Sequence, residues 1–95
     1  MPFGRKIVLH SLSGYRPEFD LLVRQFIGDG VIFVAVVGID ASRIEDIIDE
    51  LCVGDGSNPY SMLTSSHERE TLSEAVSFSE SLTLEFTGDV QVVEF

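Results

Sequence analysis

The stretch Val31 to Val37, VIFVAVV, is apolar at every position. No other feature of the chain constrains its fold as much. A strand with one face in water alternates apolar and polar residues. A run without alternation must be covered on both faces, which is the condition of a central strand in a parallel sheet.

The flanking segments supply that cover. Arg5 to His10 reads as a short buried strand. After it, Phe19, Leu22, Val23, Phe26 and Ile27 follow i, i+3, i+4, i+7, i+8 spacing, with Pro17 suited to the first turn of a helix. A second stripe, Ile44, Ile47, Ile48, Leu51 and Cys52, follows Asp40, an expected N-cap, with Ile39 and Ile44 spaced as a hydrophobic staple. Tyr60 to Thr64 is the expected third strand, and a third helix starts between Ser65 and Thr71. Its stripe is Leu72, Ala75, Val76, Ser79, Leu82 and Phe86, although Thr83 to Phe86 also fits a short extended piece. Val90 to Phe95 closes the series as a fourth strand. Gly-Asp recurs at Gly28, Gly54 and Gly88, each time at an expected helix end.

Strands alternating with helices imply a mainly parallel sheet with helices on both faces and right-handed crossovers. The expected fold is a single small three-layer α/β domain over residues 1–95, βαβαβαβ, with strand order 3-2-1-4. The alternative order is 2-1-3-4. The first order places helices one and two on one face and helix three on the other.

Composition narrows the function classes. Six basic residues face sixteen acidic ones, a net charge of −10. Phosphate contacts need Lys and Arg, so nucleic acid is disfavoured, as is an anionic membrane surface. A basic protein partner suits the charge better. The longest apolar run, Val31 to Ile39, is far short of the roughly 20 residues a bilayer demands. No signal peptide is read at the N-terminus, and the expected location is cytoplasmic. Cys52 is the only cysteine, which excludes an internal disulfide, a cysteine-based zinc site and a CxxC pair. On the apolar face of its helix it reads as a small buried hydrophobe.

In an open parallel sheet, ligands bind beyond the carboxyl ends of the strands. The expected fold places His10, Ser13 and Arg16 there after the first strand, Asp40 and Arg43 after the second, and Ser65, Ser66, His67 and Arg69 after the third. Arg16, Arg43 and Arg69 each stand at or before a helix N-terminus, where the dipole favours acids. Arginines and helix N-termini together suit a phosphate or carboxylate. Local pairing offers a simpler account: Arg16 with Asp20, Arg43 with Asp46, Arg69 with Glu74.

Ser65-Ser66-His67-Glu68 and Thr71-Leu72-Ser73-Glu74 both fit a capping box. A Ser65 nucleophile needs a base within hydrogen-bond reach, and near neighbours on a turn usually point apart. No G-x-S-x-G, P-loop or G-x-G-x-x-G is present, and two histidines make a poor metal site. No cofactor is expected. Glu45, Asp46, Asp49 and Glu50 line the polar face of the second helix, where Arg43 is the only basic residue.

These features read as a small acidic binding or regulatory module without catalysis, docking a basic protein partner through Glu45, Asp46, Asp49 and Glu50. The alternative is a small enzyme or sensor holding an anionic ligand at the carboxyl edge. The closing strand, VQVVEF, lacks a protecting proline, so a homodimer is also expected, through that edge or near Phe78 and Phe86.

Overall fold

The computed structural model describes residues 3–83 and 86–95. Seven elements alternate along the chain: β1 (Lys6–Ser11), α1 (Phe19–Gly28), β2 (Phe33–Gly38), α2 (Ala41–Val53), β3 (Leu63–His67), α3 (Leu72–Glu80) and β4 (Val90–Glu94). The four strands form one all-parallel sheet in the order β3-β2-β1-β4. This is the first of the two expected orders. β2 lies inside the sheet, and every residue from Phe33 to Val37 is at most 2% exposed.

The strands sort their side chains by parity. Ile7 and Leu9 of β1 and Val34 and Val36 of β2 face α1 and α2. Phe19, Val23 and Phe26 of α1 and Ala41, Ile44, Ile48 and Cys52 of α2 close over them. Full burial of a Val, Leu, Ile or Phe contributes about 1.5–3 kcal/mol each, so this layer is the main source of stability. The opposite face is thinner. Val8, Phe33, Ala35 and Val37 meet only Ala75 among the fully buried apolar residues of α3, with Leu72, Val76, Leu82, Phe86 and Val90 packed partly around them. Ser79, the weak point of the third stripe, is fully buried and donates its hydroxyl to the Ala75 carbonyl at 2.8 Å. Lys6 also lies on this face, buried, with Nζ donating to the Gly88 carbonyl at 3.3 Å. Cys52 is buried as expected, and that burial, with the charge of Asp49, pushes its thiol pKa up.

Three local expectations change. β3 does not run from Tyr60 to Thr64; it starts at Leu63 and continues through Ser65 and Ser66 to His67. The Leu63 N–H donates to the Ile32 carbonyl, and that register pairs Val34 through Val37 with Thr64 through His67. The outer edge of β2 carries backbone groups that need partners, and it draws polar residues into the strand to supply them. Asp40 precedes α2 but makes no side-chain cap: its backbone is left-handed (φ 59°) and its carboxylate turns to the Tyr15 N–H. Ile39 is 54% exposed, so the expected staple with Ile44 is not a buried pair. α3 ends at Glu80, which leaves Gly88 before β4 and not at a helix end. Leu82 and Phe86 follow α3 as separate packing residues. The question of helix or strand over Thr83 to Phe86 falls partly on residues 84–85, outside the described residues.

One close approach fixes the carboxyl end of β2. Gly38 has φ +106°, and a Cβ placed there would stand 2.4 Å from the Ser11 carbonyl oxygen. Gly30 also has positive φ (+80°), but nothing lies within 4 Å of its would-be Cβ. Gly38→Ala should therefore destabilise the fold by at least about 2 kcal/mol, and Gly30→Ala by about 1 kcal/mol. Urea denaturation of the two variants checks the order; equal losses would mean that Gly38 is not sterically constrained.

Candidate functional site

The α3 face of the sheet carries polar side chains where an apolar core is otherwise built. Ser65 and His67 are two residues apart on β3, paired with Ala35 and Val37 of β2, so both point to this face. They meet there: Ser65 Oγ lies 2.8 Å from His67 Nε2. His67 Nδ1 lies 2.7 Å from Glu70 Oε2. A carboxylate accepts and cannot donate, so Nδ1 carries a proton; in the neutral imidazole Nε2 then presents its lone pair to the Ser65 hydroxyl, which donates. The result is a hydroxyl–imidazole–carboxylate chain. The imidazole is buried against the Phe78 ring, with centroids 5.0 Å apart, while the Glu70 side chain is 44% exposed. Ser65 is half-buried.

This arrangement overturns the expectation that Ser65 and His67 point apart. That expectation assumed a turn, where side chains diverge. In an extended strand residues i and i+2 share a face. Ser65 is accordingly not a helix cap; the capping box is formed by Thr71 and Glu74. Glu70 was missed by the sequence reading, and Phe78 was expected only at a dimer rim. The spacing signal of Glu70, a carboxylate three residues after His67, becomes meaningful only once the turn after β3 is known.

The carboxyl edge gathers a different set on the other face. Asp40 Oδ2 accepts the Tyr15 N–H at 3.4 Å, and Tyr15 donates its hydroxyl to Asp20 at 3.1 Å. That hydrogen bond is the main cause that raises the Tyr15 pKa, with burial and the Asp20 charge behind it. The Arg43 guanidinium lies 5.3 Å from the Tyr15 ring centroid, and Arg16 lies 4.5 Å from that of Phe95. Tyr15, Phe19 and Phe95 form an edge-to-face run between them. Arg16 and Arg43 thus rest on one aromatic run, and the expected pairs with Asp20 and Asp46 are not among the ion pairs of the described residues. Arg69 is exposed on the turn after β3, and Ser13 is exposed in the loop after β1.

At the start of α2, the Ser42 N–H donates to Glu68 at 3.4 Å and the Ser42 hydroxyl reaches Ser66 at 3.5 Å. An anion at this helix N-terminus must displace Glu68 and lie beside Asp40. His10 is not part of this rim. It faces the α3 layer, separated from His67 by Val37, and its Nδ1 is buried without a hydrogen-bond partner among the described residues.

On α2, Asp46, Asp49 and Glu50 are exposed and Glu45 is partly so. Asp49 accepts the Thr64 hydroxyl at 2.8 Å. Among the described residues His67–Glu70 is the one contact within ion-pair distance, charged only when the imidazole is protonated, and none of the described cations pairs with this helix face. A groove of about 410 Å³, also absent from the sequence reading, opens at the amino end of β3, where Arg5, Ile32, Ser61, Met62, Leu63 and Phe86 meet. These residues come from separate segments, and no local pattern links them. Among the described residues no group of three or more His, Cys, Asp or Glu could hold a metal ion. No helix among them is long and apolar enough to cross a membrane.

Fold and site together define a small doubly wound α/β domain with a Ser–His–Glu chain on one edge strand and the turn after it, and an acidic helix on the opposite face. The chain belongs to the family described as domain of unknown function DUF7684, which matches residues 1–93. No curated protein and no solved structure matches it.

The capping box provides a test of where α3 starts. The Thr71 hydroxyl accepts the Glu74 N–H at 3.1 Å, and the Thr71 N–H donates to Glu74 Oε1 at 2.9 Å. The Thr71 N–H first, then its hydroxyl, hold the Glu74 carboxyl below its ordinary range. A depressed folded-state pKa adds stability that is present above the unfolded value and lost as pH falls through the folded one. Glu74→Gln should therefore be less stable than wild type at neutral pH, and the two should converge in acid. Thr71→Ala should cost about 1 kcal/mol. Thermal melts across pH check both; a variant gap that widens in acid would contradict the sign.

Proposed function

We propose that this protein is a small cytoplasmic binding module that docks a basic protein partner through the outer face of α2. The observation that carries the reading is the lack of neutralisation. Glu45, Asp46, Asp49 and Glu50 share one helix with no ion pair among the described residues, on a chain of net charge −10. Complementary potential raises the association rate with a basic surface and disfavours acidic competitors. The helix is anchored beneath by Ile44, Ile48 and Cys52, so its charges are held on a rigid element. The single buried thiol accords with a reducing compartment.

Affinity capture from the source extract, comparing wild type with the quadruple variant Glu45→Gln, Asp46→Asn, Asp49→Asn, Glu50→Gln, tests the docking face. A basic protein retained by wild type, released by raised salt and lost in the variant is the expected outcome. Partners indifferent to both salt and the variant would refute it.

The module is further proposed to act as a homodimer. β4 is an edge strand, Val92 on it is 43% exposed, and the outward backbone groups of such an edge invite pairing. Repulsion between two acidic copies is screened over about 8 Å at physiological salt. Sedimentation equilibrium at low and high salt should show a dimer favoured by salt and abolished by Val92→Lys. A monomer at hundred-micromolar order concentration under both conditions refutes the dimer; a dimer that survives Val92→Lys moves the interface to Phe78 on α3.

A further inference from the structure

We propose that Ser65, His67 and Glu70 form an acyl-transfer centre that acts on carboxylic esters with a small apolar acyl group. The inference is independent of the docking face on α2, which lies across the sheet. It rests first on order and geometry: nucleophile to base at 2.8 Å and base to carboxylate at 2.7 Å, with the imidazole tautomer set by Glu70.

The position of Ser65 provides a second argument. Its row across the sheet is Ala35, Val8 and Val92, which are apolar. Core packing alone would favour another apolar residue there. Two further polar groups, His67 and Glu70, are aligned to address this one hydroxyl.

Access follows from the topology. β3 is an edge strand, so alternate backbone groups face away from β2. Because Leu63 donates inward to Ile32, the period of two turns the N–H groups of Thr64 and Ser66 outward. The N–H of the residue after a nucleophile is a frequent oxyanion donor, and Ser66 supplies it here. The substrate class is inferred from the neighbouring groove, which Ser65 and His67 do not themselves line. Leu63, one strand step from Ser65 and on the same face, lines it with Ile32, Met62 and Phe86, beside the polar Ser61 and Arg5. A small apolar acyl group fits along Leu63, Ile32, Met62 and Phe86.

The chemistry balances without any further reagent. Ser65 Oγ bonds to the ester carbonyl carbon as its proton passes to His67 Nε2, and Glu70 holds the resulting imidazolium. The carbon–oxygen bond to the leaving group then breaks, and Nε2 returns the proton to the departing alcohol. Water attacks the acyl-Ser65 carbonyl and gives a proton to Nε2. The carboxylic acid leaves, and Ser65 Oγ recovers that proton.

A fluorophosphonate probe, which forms a stable phosphonyl-serine as fluoride leaves, tests the centre on the full chain at neutral pH. We expect a single adduct on Ser65, localised by fragmentation of the tryptic peptide Ile44–Arg69, and hydrolysis of p-nitrophenyl butyrate. Ser65→Ala should abolish both, and His67→Gln should slow both by about a hundredfold. Glu70→Gln should slow labelling by a smaller factor and change its pH profile. Circular dichroism establishes that each variant is folded. Should His67→Gln not fold, the contrast between native and urea-unfolded wild type replaces it, and only the native chain should be labelled. An unlabelled Ser65 in the native protein, labelling on Ser66 instead, equal labelling in folded His67→Gln, or ester hydrolysis that survives Ser65→Ala would each overturn the proposal.

Discussion

Ala35 and Val37 point one way from β2 and Val34 and Val36 point the other, and none of the four is more than 2% exposed. A strand of this kind is stable only with a layer on each side, because leaving either row in water would forfeit roughly 25 cal/mol for each Å² exposed. The three-layer architecture follows from that requirement. α1 and α2 cover one row and α3 the other, and β1 and β3 satisfy the backbone on both flanks.

The two layers are not equivalent. The α1/α2 layer is a conventional apolar core built around Phe19, Phe26, Ile44 and Ile48. α3 contributes only Ala75 and Ser79 as fully buried residues. Beneath so slight a helix, the sheet positions hold Lys6, His10, Ser65 and His67. Each polar group there must find a partner or lose its hydration without return. Lys6 takes a carbonyl, and Ser65 and His67 take each other and Glu70. His10 Nδ1 has no partner among the described residues. The stable layer and the chemically equipped layer thus lie on opposite sides of one sheet, which lets the α3 side depart from good core packing.

The outer surface follows a similar division. α2 is apolar where Ile44, Ile48 and Cys52 meet the sheet and acidic where it meets solvent. Arg16 and Arg43 stack on aromatic rings at the carboxyl edge, and those acids form no ion pair among the described residues. Guanidinium groups are weakly hydrated and planar, so ring faces compete well with exposed carboxylates for them.

The choice between the two strand orders, and with it the assignment of helices to faces, was left to the tertiary structure; the sequence by itself determined the alternation of elements, the parallel sheet and the need to cover β2 on both faces. Those depend on hydrophobic period, which is a local property of Val31 to Val37 and of the two strong helical stripes. It also marked Ser65 and His67, but as the start of a helix. Only the tertiary structure decided that they belong to a strand, because the length of β3 is set by the unpaired backbone edge of β2 and not by β3's own composition. That shift from turn to strand points Ser65 and His67 the same way, and the following turn brings Glu70 back to the imidazole. The fates of Arg16, Arg43 and Asp40 were equally beyond local reading. Phe95, Tyr15 and the left-handed backbone at residue 40 redirect them, and each of those contacts forms only when distant segments pack together.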